Sequence, residues 1–130
     1  MSEYFKKIKT YLFEIGYEII SENEEEKLVV ISEPEEGINN MILDCEDNLL
    51  IVEQFICKAP IDDVLYKRLL QFNRNFVHGS LVLDEDAERL LFRDTLQLEN
   101  LDLNELEATI KSLSLFLAEH AQELIEISKK

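Results

Sequence analysis

The sequence predicts an α+β fold: a helix, an antiparallel meander of about four strands, a second helix, a two-strand hairpin and a long C-terminal helix. Three observations predict it. Segments near both ends of the chain repeat apolar residues every three or four positions, as one face of a helix does. Between them lie short runs rich in β-branched and aromatic residues, separated by polar turns. The length of 130 residues suits one domain, which we expect to span residues 1–130.

The first helix is predicted over residues 3–15. Ser2 is placed to cap its start, and Gly16 is placed to end it. Its apolar face has the 3 and 4 spacing of a helix and consists of Phe5, Ile8, Leu12 and Ile15.

The meander follows this helix. Polar runs rich in glutamate, or containing Pro34 and Gly37, separate its β-rich segments and are typical of turns. The predicted strands are residues 17–21, 27–32, 38–45 and 49–57.

A second helix and a hairpin come next. Pro60 suits the first turn of a helix, and Gly79 ends the apolar repeat. Two short apolar segments, residues 81–83 and 90–96, then flank the acidic tip at residues 84–87. The apolar side of the helix is predicted to contain Val64, Leu65, Leu69, Phe72 and Phe76.

The last helix is predicted over residues 103–128. Asp102 stands three residues before Glu105, a carboxylate form of the capping box. At 1.5 Å per residue the helix is about 39 Å long, more than the width of a small domain. Its end is therefore expected to overhang the domain or to meet a partner. Its apolar positions are Leu103, Leu106, Ile110, Leu113, Leu117, Ala121 and Leu124.

The net charge of the chain limits the classes of partner that it can attract. There are 13 Lys and Arg against 28 Asp and Glu, a net charge of −15. This field repels nucleic acid and anionic membranes and attracts positively charged proteins, although acidity also keeps a protein in solution. The sequence has neither a run of about 20 apolar residues nor a basic N-terminal region before an apolar core, so we expect a cytoplasmic protein.

Catalytic motifs do not emerge. Cys45 and Cys57 have no signature around them and are expected to be reduced, partly buried thiols in a sheet. His78 and His120 lie in different predicted elements, and the spacings typical of zinc, calcium and nucleotide sites do not occur. The sequence therefore predicts no enzyme, no metal and no cofactor.

The most informative feature is apolar. Three predicted strands have apolar residues at consecutive positions, whereas a strand with one wet face should alternate. If the helices all pack on one side, the other side carries an apolar patch. If they cover both sides, nothing is left exposed. The candidate partner contacts on these strands are Val29, Ile31, Met41, Leu43, Ile51 and Val52.

The element order and one stretch of sequence resemble a known family. Residues 69–96 read LLQFNRNFVHGSLVLDEDAERLLFRDTL, in which Phe72, Asn73 and Phe76 close a helix and Gly79 and Ser80 follow. The stretch LENLDLNELEATI at residues 98–110 leads into the last helix. Together they resemble the YbjN family and the type III secretion chaperone-like (Tir-chaperone-like) fold. The resemblance implies a small cytoplasmic, non-enzymatic protein that forms a homodimer, and it provides no catalytic residues.

Two functional hypotheses result. The favoured one is a chaperone-like or regulatory protein-binding module that covers an apolar segment of a partner protein. The alternative is a small-molecule sensor or enzyme with a pocket near Arg74, His78 and Arg93, the basic residues around the Gly-Ser turn. A shallow apolar groove would favour the first hypothesis, and an enclosed pocket lined by those three side chains would favour the second.

Overall fold

A computed structural model describes residues 2–59 and 62–129. They form one six-stranded antiparallel sheet in the order β1-β2-β3-β4-β6-β5, with three α-helices. The elements are α1 (Ser2–Ile15), β1 (Ile19–Asn23), β2 (Leu28–Glu33), β3 (Ile38–Glu46), β4 (Leu49–Lys58), α2 (Asp63–Phe72), β5 (Ser80–Leu83), β6 (Arg89–Gln97) and α3 (Leu103–Ser128). The predicted α+β class and element order are confirmed.

The hairpin after α2 joins the meander to make one sheet. Strand β6 pairs with β4 along its whole length, and β5 pairs only with β6 at the edge. Residues with positive φ stand at three hairpin tips, and they are Lys27, Asp47 and Ala87. The chain therefore leaves the sheet after β4, crosses one face as α2, and returns at the far edge.

Strands β3 and β4 separate at one end. Their pairing begins at Ile42 opposite Glu53, so the first residues of β3 have no partner on β4. Asn40 has a φ of 51°, in the left-handed region, at an irregularity in the pairing of β2 with β3. Asparagine tolerates this conformation better than most residues, and a bulge of this kind bends the strand that carries it. The buried side chain of Gln54 bridges the gap: its Nε2 donates to the Gly37 carbonyl (3.0 Å) and its Oε1 accepts from the Asn39 N–H (3.1 Å).

The core consists of two clusters connected by α3. The larger one lies between α1, the first half of α3 and the strands β2 to β4. The smaller one lies between α2, the second half of α3 and the hairpin β5-β6, and includes Leu124 and Ile127. The end of α3 therefore does not overhang, because these two residues pack on α2 and the hairpin. Arg68 of α2 holds it there through two bonds to the Glu123 carboxylate, at 2.6 and 2.9 Å.

The start of α3 agrees with the prediction, whereas α2 ends at Phe72, before the predicted stop at Gly79. Asp102 and Glu105 form the reciprocal capping box that the sequence predicts. In α2 the cap is Asp62, whose side chain accepts from the Val64 N–H, and Pro60 lies outside the described residues. Val64 is 70% exposed, so it does not belong to the apolar side of α2. Leu69 and Phe72 do belong to it.

The turn between α2 and β5 depends on a glycine. Gly79 has a φ of 78°, and a Cβ there would lie 2.6 Å from the Phe92 ring. Gly16, at the end of α1, has a φ of 101° with open space around it. Substitutions at Gly16 and Gly79 can therefore distinguish the cost of backbone strain from the cost of a steric clash.

We expect Gly79→Ala to destabilise the protein by about 2 to 4 kcal/mol, because strain at positive φ adds to overpacking against Phe92. Gly16→Ala should cost only about 1 kcal/mol, since strain is its sole penalty. Urea unfolding followed by circular dichroism measures both. Equal losses in the two variants would show that the contact with Phe92 does not control the turn.

Candidate binding surfaces

The helices cover one face of the sheet. The buried sheet residues of both clusters share the face that packs on α1, α2 and α3. The side chains of the opposite face alternate with them along each strand, as the period of two requires. We call this the outer face. It contains apolar residues on five neighbouring strands: Leu28, Val30, Ile42, Leu49, Ile51, Phe55, Leu91 and Val82.

The outer face is partly exposed along its middle. Ile42 is 41% exposed and Phe55 is 54% exposed. Cross-strand pairing places Val30 beside Ile42, and Phe55 beside Leu91. The outer face is therefore an apolar surface with polar residues among its apolar pairs, since Asp44 stands opposite Leu28 and Ile51, and Glu53 stands opposite Ile42.

One ion pair interrupts this apolar surface. Glu53 and Arg93 are cross-strand partners on β4 and β6, and their side chains form a salt bridge. The Arg93 side chain is 41% exposed and the Glu53 side chain is 33% exposed. The pair therefore adds little stability. Charges within an apolar sheet face instead disfavour indiscriminate association.

Most of the candidate contacts predicted from the sequence lie on the face that the helices cover. Ile51 lies on the outer face. The remaining five are fully or almost fully buried beneath the helices: Val29, Ile31, Met41, Leu43 and Val52. A run of consecutive apolar residues does not reveal which alternate set faces the helices, and the choice of the wrong set moves every contact to the opposite side. Their outward neighbours Val30, Ile42 and Ile51 are the accessible set.

The three basic residues of the alternative hypothesis do not converge. Arg93 is paired with Glu53 on the outer face. Arg74 is exposed in the 3-10 turn after α2. The backbone of His78 is fixed to α3, because its N–H donates to Ser112 Oγ (3.0 Å) and its carbonyl accepts from that hydroxyl (2.7 Å). This arrangement positions a turn and does not form a pocket.

A groove of about 430 Å³ opens where β3 and β4 separate. One wall is the second half of α3, and the other is the end of β4 with the turn before β3. Its apolar lining residues on the two sides include Leu117, Leu124 and Ile125, and Phe55 and Ile56. None of Arg74, His78 and Arg93 lines it. Two of the apolar positions predicted on α3, Leu117 and Ala121, form part of its wall, and Leu117 also packs against both core clusters.

A hydrogen-bonded cluster fixes the turn beside the groove. Tyr17 Oη donates to Glu36 Oε1 (2.6 Å), and Lys111 Nζ donates to the same oxygen (3.1 Å). Burial raises the pKa of Tyr17 to about 12, so the phenol keeps its proton at neutral pH. The hydrogen bond from Tyr17, with help from Lys111, lowers the pKa of Glu36. Gly37 follows with a φ of 78°, and a Cβ there would lie 2.8 Å from Leu117 Cδ1.

The two thiols are poorly suited to nucleophilic chemistry. Cys45 is buried, and burial raises its pKa to about 11. Burial also raises the pKa of Cys57, which is half-buried in the groove wall. Thiols with raised pKa values carry little thiolate at neutral pH.

The stretch that carries the family resemblance is structural. The Asn73 amide pairs with both backbone groups of Leu81 on the edge strand β5: Nδ2 donates to its carbonyl (3.2 Å) and Oδ1 accepts from its N–H (2.7 Å). Asp84 Oδ1 accepts from the backbone N–H groups of Glu88 and Arg89 and closes the hairpin. These side chains build the turn and protect the sheet edge at β5.

Within residues 2–59 and 62–129 there is no group of three or more His, Cys, Asp or Glu side chains that could hold a metal ion. No helix in the described part of the chain is long and apolar enough to cross a membrane.

Solved structures share this fold over nearly the whole chain. A chain of the HopA1–SchA chaperone–effector complex is 16% identical, with a TM-score of 0.65, and covers 92% of this chain and 94% of its own. YbjN from E. coli is 14% identical, with a TM-score of 0.68 and 92% coverage of both chains. A chain of the complex of the Yersinia pestis type III secretion chaperone SycH with a YscM2 fragment is 17% identical, with a TM-score of 0.57, and covers 96% and 99%. No curated protein matches the sequence.

These likenesses show that the chain shares its fold with the chains of two chaperone complexes. The family model CesT_Tir_1 matches residues 1–130. The chain belongs to this family of type III chaperones, as the resemblance predicted.

We expect the Glu36 cluster to make stability depend on pH in the acid range. Because the folded-state pKa of Glu36 is lowered from 4.5, its contribution is complete above that value and is lost as the pH falls through the folded-state pKa. At pH 7 the melting temperature of the wild type should therefore be higher than that of Glu36→Gln. The difference between the two melting temperatures should decrease towards pH 3. Circular dichroism melts measure it.

Glu35→Gln is the matched control, since the adjacent Glu35 is exposed and the bonds from Tyr17 and Lys111 go to Glu36. A constant difference between wild type and Glu36→Gln from pH 7 to pH 3 would contradict the assignment.

Proposed function

We propose that this protein is a non-enzymatic, chaperone-like binding module that covers an apolar segment of a partner protein with its outer face. The observation that carries the proposal is the one-sided roof of the sheet. Strands β2 to β4 carry apolar side chains on both faces, and the helices bury only one of them. Exposed apolar patches of this kind are typical of protein-binding sites.

The surface area supports the same conclusion. The protein exposes 8077 Å². A typical monomer of 15.2 kDa exposes roughly 7,100 Å², so the excess is about 1,000 Å². One side of a standard protein interface buries about 800 Å². The excess exposed area is therefore about as large as one side of such an interface.

The family and its relatives support a protein as the ligand. The chain belongs to a type III chaperone family, and structures with the same fold include a chaperone–effector complex and a chaperone bound to a protein fragment. The charge of −15 supports a partner with positive charge rather than a nucleic acid or an anionic membrane. We propose that this binding takes place in the cytoplasm.

A second copy of the chain is the other candidate for an apolar surface, and a homodimer is part of the proposal. Besides the outer face, α2 and the following turn expose Val64, Leu70 and Val77. Separate surfaces could therefore serve a dimer and a partner. The mass in solution, measured by light scattering at several concentrations, tests the dimer. A monomeric mass at every concentration would contradict the homodimer and would leave the outer-face proposal unaffected.

We expect Ile42→Glu to lower the affinity of the outer face at least about tenfold, because a bound partner would bury an unpaired charge there. The probe is a synthetic extended peptide with valine at alternate positions, followed by fluorescence anisotropy. Folding stability should change by less than about 1 kcal/mol, since Ile42 is exposed before binding.

Leu115→Glu is the matched control. Leu115 is 60% exposed on α3, outside the outer face, so the same change of chemistry there should leave the affinity unaltered. If Ile42→Glu and wild type bind the peptide equally well, the outer face is not the binding surface.

A further inference from the structure

The groove between α3 and the end of β4 is shaped by small side chains. Ser114, Ala118 and Ala121 recur on one side of α3 and line the groove. Bulkier residues rise beside them, namely Leu117 and Leu124. The volume of about 430 Å³ falls in the range of about 300 to 1,000 Å³ that ligand pockets occupy.

The charged residues that line the groove are acidic. Among its described lining residues, the charged ones are Glu35 and Glu36. Glu36 is engaged by Tyr17 and Lys111, whereas Glu35 is exposed at the rim. With the net charge of −15 behind it, this rim favours a cation beside the apolar floor and disfavours an acyl carboxylate or a phosphate.

The groove is continuous with the outer face. Phe55 lines the groove and also pairs with Leu91 across the outer face. This double position results from the gap between β3 and β4, since the sheet does not close beside Phe55. A chain that crosses the outer face along β4 can therefore enter the groove without leaving the protein surface.

We propose that the groove binds one apolar anchor of the partner segment, flanked by lysine or arginine, while the rest of that segment lies on the outer face. The inference rests on the proposed function and adds the chemistry of the partner: a basic segment with an apolar side chain at its centre. The apolar side chain fills the space above Ala118 and Ala121. The flanking cation lies near Glu35.

Three synthetic peptides of twelve residues test this chemistry. The first has a central leucine between lysines, the second replaces the lysines with glutamates, and the third replaces the leucine with serine. At low salt we expect the lysine peptide to bind at least about tenfold more tightly than either of the others, because attraction and burial are both required. Isothermal titration measures the affinities, and amide chemical shifts should change at residues 54–57 and 114–128.

Ala121→Trp fills the groove and should reduce binding of the lysine peptide at least about tenfold. Gln122→Trp is the matched control, since Gln122 is an exposed neighbour on α3 that does not line the groove. Ala118→Trp is a second blocking variant, and circular dichroism confirms that each variant is folded. Glu35→Gln should narrow the difference between the lysine and glutamate peptides.

The outcomes separate this inference from the proposed function. Binding that is insensitive to Ala121→Trp but lost in Ile42→Glu would overturn the groove inference and retain the outer face. Loss with Ala121→Trp and no effect of Ile42→Glu would support the groove and overturn the outer face. Equal affinity for the lysine and glutamate peptides would overturn the basic character of the partner and point to a neutral apolar ligand.

Discussion

The one-sided packing of three helices on the sheet is the constraint on which the rest of the structure depends. A sheet of six strands has two faces, and residues 2–59 and 62–129 provide three α-helices, α1, α2 and α3, to cover them. Both core clusters use α3, which therefore holds all three helices on the same side. Because the strands are apolar on both faces, this packing leaves an apolar surface open to solvent. The exposure of Ile42 and Phe55 is thus a consequence of the architecture.

The separation of β3 and β4 adds a second feature to this surface. Asn40 stands at an irregularity of β3, and the Gln54 amide bonds to the backbone groups of Gly37 and Asn39 where β3 has no pairing with β4. Without that amide, the Gly37 carbonyl and the Asn39 N–H would each lose a hydrogen bond, worth about 0.5 to 1.5 kcal/mol. The side chain therefore permits a sheet that is locally open, and the groove occupies the opening. The outer face and the groove meet at Phe55 for this reason.

The residues that distinguish the family stretch have a different task from the residues that would bind a partner. Asn73 pairs with the edge strand β5, Asp84 closes its hairpin, and Gly79 allows the turn to approach Phe92. Each of them fixes backbone geometry. Binding would instead depend on the shape and charge of apolar surfaces, which many sequences can provide. Proteins with 14 to 17% identity share this fold, and a fold by itself does not specify what a protein binds.

Local patterns in the sequence determined the element order, the capping box at Asp102 and the exact limits of α3, because caps, turns and helix periodicity act over a few residues. They also showed that the central strands are apolar on both faces. Tertiary structure alone decided which face is covered: Val29, Ile31, Met41, Leu43 and Val52 are buried, and Ile42 and Ile51 face outward. Adjacent strand residues of the same chemistry differ only in the direction in which they point, and that direction is fixed by the helices that pack on the sheet. The groove could not be predicted either, since it depends on the contact of α3 with a gap between two strands.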